Sequence, residues 1–148
     1  MSQYQDTVRE ELVDILDKLQ EIYRKTHPGS ILLFANGDAS FTTQDVSRTT
    51  QSLFPEEGGS KSLDYSVYAH NIPSGNQQVG QLHTEGRMGR VDVGYVDRAS
   101  PEKKLRFKMK VGFGGRVIDY ELEGSDGMYR SQFQKSMVIS ALEQTFSR

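Results

Sequence analysis

The 148 residues carry 18 lysines and arginines against 20 aspartates and glutamates, a formal net charge of −2, and no cysteine. Disulfides, thiolate metal sites, iron–sulfur ligation and cysteine catalysis are excluded, and near-neutrality gives no general electrostatic pull toward nucleic acids or membranes. The length suits one domain over 1–148, large enough to bury roughly two thirds of its unfolded surface without covalent staples. The start, MSQYQDTVREEL, lacks a basic region followed by an apolar core, and no apolar run approaches the roughly 20 residues that span a bilayer. A cytoplasmic protein that neither enters nor binds a membrane is the expectation.

Residues 4–26 are expected to form an amphipathic helix. Val8, Leu12, Ile15, Leu16, Leu19, Ile22 and Tyr23 recur at three- and four-residue spacings and fill one stripe. Asp6, Glu10 and Glu11 suit the positive end of the helix dipole, and Arg24 and Lys25 the negative end. His27-Pro28-Gly29 stops the helix. Ser30 to Ala35 is the most apolar run and predicts a strand; Asn36-Gly37 signals a hairpin. The return, Asp38 to Thr43, has only Ala39 and Phe41 as apolar residues, so it belongs at or near a sheet edge.

Residues 44–62 lack convincing periodicity, beyond one or two helical turns between Gln44 and Phe54. So long a segment is expected to be mobile or to contact a partner, with Leu53 and Phe54 as its anchors. Strands are then expected over 64–70, 77–84 and 90–97. In the last, Val91, Val93 and Tyr95 alternate with Asp92 and Gly94.

The clearest pattern is KKLRFKMKVGFGGRVIDYELE, residues 103–123. Lys104, Arg106, Lys108 and Lys110 alternate with Leu105, Phe107, Met109 and Val111. A turn at Gly114-Gly115 sets Lys110 opposite Asp119, Lys108 opposite Glu121 and Arg106 opposite Glu123. The same turn sets Met109 against Tyr120, Phe107 against Leu122 and Val111 against Ile118. Pairing with the preceding strand sets Asp92 against Lys108, Val93 against Phe107 and Gly94 against Arg106. The missing Gly94 side chain is expected to leave a shallow depression. Residues 126–146 are expected to form a second helix, capped by Ser125 or Asp126. Its apolar arc (Tyr129, Phe133, Met137 and Ala141 beside Val138, Leu142 and Phe146, extended by Met128 and Ile139) exceeds half the circumference, so two sides need cover. That cover is either sheet plus the first helix, or sheet plus another subunit or partner.

The expected fold is α+β: an antiparallel meander of 5–7 strands with N- and C-terminal helices packed on one face. Function is less legible. His27, His70 and His83 occur singly, with no zinc-helix spacing, and GFGG lies between strands rather than before a helix. No catalytic residue, metal or cofactor is therefore predicted. The leading expectation is a non-catalytic protein-interaction module of adaptor, assembly-factor, escort or inhibitor type. Its partner is another protein or a second copy, met through Val138, Ile139, Leu142, Phe146, Leu53 and Phe54. The alternative is a domain for a small anionic ligand or, less readily, nucleic acid, held by Arg87, Arg90, Arg98, Arg106 and Lys108. A third reading is an enzyme of unrecognised type using histidine and carboxylates, with His70 and His83 brought together beside Asp64 or Asp92.

Overall fold

Thr7 opens the first helix, α1 (Val8–Arg24). In the computed structural model, which describes residues 7–51, 60–131 and 134–147, the Glu10 amide donates to Thr7 Oγ1 and the Thr7 amide donates to Glu10 Oε1. This reciprocal capping box satisfies amides that the first helical turn leaves free. Every member of the expected apolar stripe of α1 is buried.

After α1 come β1 (Ile31–Asn36), β2 (Ala39–Phe41), α2 (Thr43–Gln51), β3 (Ser60–Asn71), β4 (Gly75–Arg87), β5 (Arg90–Asp97), β6 (Lys104–Val111), β7 (Val117–Glu123), β8 (Tyr129–Ser131) and α3 (Lys135–Phe146). The strands form one antiparallel sheet in the order β2-β1-β3-β4-β5-β6-β7-β8. This is the expected α+β architecture, with eight strands among the described residues rather than 5–7, and with β3 pairing β1 rather than β2, so that the meander runs from β3 to β8. Helices pack on one face, where α1 and α3 side chains meet Leu82, Val93, Tyr95, Leu105 and Phe107 from the sheet.

The eighth strand is the main departure. Residues 129–131 pair with β7 as an edge strand, and the helix begins only at Lys135. Tyr129 and Ser131 alternate with Arg130, and the β7 edge was open to receive them; pairing backbone groups there outweighs a first helical turn built around Gly127. Ser125 and Asp126 lie in the turn before β8, where Asp126 accepts from the Met128 amide and from Arg130. Met128 is exposed rather than part of an apolar helix face.

The shortened α3 needs no outside cover for its central residues. Val138, Leu142 and Phe146 lie in the core, and Ile139 and Ala141 pack against it partly buried. Sheet and first helix together cover Val138, Leu142 and Phe146 of the arc, while Met137 stays exposed. Polar ties fix the packing: Glu143 accepts from Lys18 of α1 and from Lys25 just after it, and Lys135 reaches Asp14 and Glu11. Between helix and sheet, Tyr120 donates to the buried carboxylate of Glu11 at 2.5 Å.

The segment expected to lack structure begins with the helix α2, whose Val46, Ser47 and Thr50 are buried; Ser47 and Thr50 donate their hydroxyls back to the carbonyls four residues earlier. Residues 52–59, including Leu53 and Phe54, lie outside the described residues.

Candidate functional site

Among the described residues, one face of the sheet carries the helices and the other is open. Alternation sends Asp64 and Ser66 of β3, Gln81, His83 and Glu85 of β4, Asp92 and Gly94 of β5, and Arg106 of β6 to the open face. These residues line a hollow of about 610 Å3, closed at one end by Asn36 of the β1–β2 hairpin and at the other by Tyr129 of β8. In a flat sheet those two ends would stand about 29 Å apart, at about 4.8 Å per strand, so the sheet must bend for both to wall one hollow. The register shift between Val67 and Tyr68 of β3 supplies one source of local twist. The volume falls within the usual range for small-molecule sites, about 300–1,000 Å3.

The floor is a single cross-strand row. Asp64 is opposite His83, His83 opposite Gly94, and Gly94 opposite Arg106. His83 Nδ1–H donates to Asp64 Oδ1 at 2.6 Å, which fixes the ring and leaves Nε2 facing Glu85 Oε1 at 3.6 Å. Across Gly94, the Arg106 Cγ lies 3.5 Å from where a Cβ on that glycine would stand, so the arginine stem crosses the gap that the sequence predicted as a depression. The guanidinium forms no ion pair among the described residues.

The expected charge register holds in the lower half of this face. Lys108 is opposite both Asp92 and Glu121, and Lys110 opposite Asp119. Lys108 Nζ also sits 4.0 Å above the Tyr129 ring. Compensation on the β5 side ends at Asp92, because Arg106 and Lys104 face Gly94 and Val96 instead. Toward β7, the ladder ends at Phe107 opposite Leu122. Arg106 is therefore the one basic residue of the predicted anion set that lines the hollow without a carboxylate across from it on β5.

The other members of that set are engaged elsewhere. Glu85 opposes Asp92 and Arg87 opposes Arg90, two like-charge pairs neutralised along each strand by Arg87–Glu85 at 2.5 Å and Arg90–Asp92 at 3.1 Å. The Arg87 guanidinium holds the Glu85 carboxyl below its ordinary range. Arg98 donates to Gln78 at 2.7 Å, away from the hollow. His70 and His83 are not neighbours: His70 contacts Asn76 and lies six residues along β3 from Asp64, roughly 20 Å away at 3.3 Å per residue. Among the described residues, no three histidine or carboxylate side chains are placed to hold a metal ion, and no helix is long and apolar enough to cross a membrane.

At the opposite end of the strands, the β6–β7 connection corrects a second expectation. Residues 113–115 form a single 3-10 turn, with Gly114 and Gly115 at φ of 74° and 77°, and the register slips by one between Lys110 and Val111. Val111 therefore faces Val117, which is buried, and Ile118 turns outward at 50% exposure. Phe113 is 99% exposed on the turn.

Comparison with protein-family models finds no match, and comparisons with curated proteins and with solved structures find none either.

Proposed function

We propose that this protein is a small-ligand-binding domain whose open sheet face takes a molecule bearing an anionic group. The observation that carries the reading is Arg106, a guanidinium without an ion pair among the described residues, lining a hollow of about 610 Å3 beside a fixed imidazole. A planar guanidinium offers five donors in a fork suited to carboxylate or phosphate, and such contacts are strong when charge-assisted. Asn36, Gln81 and Ser66 add neutral donors and acceptors to the lining of the same hollow. The partner-binding reading drew its α3 surface from Val138, Ile139, Leu142 and Phe146, of which Val138, Leu142 and Phe146 lie in the chain's own core and Ile139 packs against it partly buried.

The test is a titration followed by two-dimensional amide NMR, with inorganic phosphate and straight-chain carboxylates of two to six carbons as probes. Saturable shifts centred on His83, Gly94 and Arg106 are expected, weakened at least tenfold in Arg106→Ala. If no probe perturbs that row, the reading is wrong.

A further inference from the structure

The two flanks of the hollow differ in sign. Arg106 is cationic, whereas the opposite flank presents His83 and Glu85, with the Asp64 oxygen Oδ1 and the Glu85 oxygen Oε2 already taken by His83 and Arg87. A carboxylate only accepts, so the short contact to Asp64 places the His83 hydrogen on Nδ1. In the neutral form of that tautomer a lone pair stands at Nε2, 3.6 Å from Glu85 Oε1. That separation is too long for a closed imidazolium–carboxylate hydrogen bond. It is short enough for one nitrogen to stand about 2.9 Å from both acceptors.

We infer that the ligand is a zwitterion, with its anionic group on Arg106 and a primary amine seated between His83 Nε2 and Glu85 Oε1. This rests on the proposed small-ligand reading and adds the second half of the molecule. A protonated amine has three hydrogens, so it can donate to both acceptors at once, and its charge opposes that of Glu85; a hydroxyl has one hydrogen and satisfies one acceptor only. Between the flanks lies Gly94, with His83 and Arg106 on the strands to either side, about 10 Å apart at Cα. Because the Arg106 stem already lies against Gly94, the ligand has to bridge only from the guanidinium to His83 Nε2, and amino acids of different chain length test that span.

The experiment uses the full chain and three matched probe series: γ-aminobutyrate and ε-aminocaproate, the acids butyrate and caproate, and the amines butylamine and hexylamine. The expected result is binding of an amino acid at least tenfold tighter than that of its acid or amine counterpart. His83→Ala and Glu85→Gln should each remove that preference while leaving acid binding in place. Long-range nitrogen-15 spectra of the native protein give a second readout that does not depend on the variants folding: the His83 ring resonance should move with the amino acids and not with the acids. If the acids bind through Arg106 and the amino acids bind no better, or the ring resonance stays still, the zwitterion is ruled out and the anionic-ligand reading stands. If neither acids nor amino acids perturb the row, both readings are overturned.

Discussion

Gly80 shows how one residue constrains the packing of a sheet. A Cβ placed there would meet the Tyr95 hydroxyl at 2.1 Å, Tyr95 Cζ at 2.4 Å and the Val96 carbonyl oxygen at 2.5 Å. Tyr95 lies beneath this glycine because its own hydroxyl donates to Tyr23, which in turn bonds Asp97 and the Val79 carbonyl. Burial is the main cause that pushes both tyrosine hydroxyls well above their ordinary range, so both stay protonated donors. Gly80→Ala should therefore cost at least about 1–3 kcal/mol, as overpacking of a core does, read as a lower urea midpoint at unchanged slope. Adding Tyr95→Phe should not rescue it, because the ring carbon and the Val96 oxygen remain in the way. Glu11 makes the complementary point. Tyr120→Phe leaves its buried carboxylate without that donor, with an expected loss of about 1–3 kcal/mol, measured the same way. Phe113→Ser, by contrast, should change stability by no more than about 0.5 kcal/mol, since the side chain is almost wholly in water.

Among the elements, α3 is held to α1 by charge as well as by apolar contact. The Lys18 ammonium is the largest cause, ahead of Ser147 and Lys25, that brings the Glu143 carboxyl from the ordinary 4.5 down to about 2. A depressed folded-state value means the ionised form favours the folded chain. The contribution is complete above pH 4.5 and fades as pH falls toward about 2. Denaturation midpoints of the native protein and Glu143→Gln should thus differ by a constant amount above that window and converge through it. Leu142→Ala probes the apolar part of the same contact and should cost about 2–5 kcal/mol at any pH. These elements differ in how plainly the sequence announces them. The stripe of α1 is legible because seven apolar residues share one period, and the β5–β6 register because apolar and charged pairs demand the same alignment. The strand β8 is not, since three residues have too short a period to read and their pairing depends on an edge that only the assembled sheet supplies. The Thr7-x-x-Glu10 capping signal was present in the sequence, and it locates the start of α1 better than the apolar stripe does.

For the whole molecule, eight antiparallel strands among the described residues, of which only β3 to β8 run as a meander because β3 pairs β1 rather than β2, carry helices on one face, and the sheet's bend turns the other face into a hollow. Stability should be graded across it. Central strands β3 to β6 have neighbours on both sides, while β2 and β8 are three-residue edges. Amide exchange should proceed first at β2 and β8 and last at β4 and β5, by several orders of magnitude; uniform protection would contradict this grading. The sequence by itself determined the class of fold, the faces of the central strands and the registers of β5, β6 and most of β7, because alternation and charge pairing are local and strongly periodic. It also placed Gly94 opposite Arg106. Only the tertiary structure decided what that juxtaposition means. His83 meets Asp64 through a pairing whose strand ends were not legible, Asn36 and Tyr129 reach the same hollow from opposite ends of the sheet, and Val138, Leu142 and Phe146 of α3 are buried against α1 and the sheet. Each depends on long-range closure, and no local period encodes it.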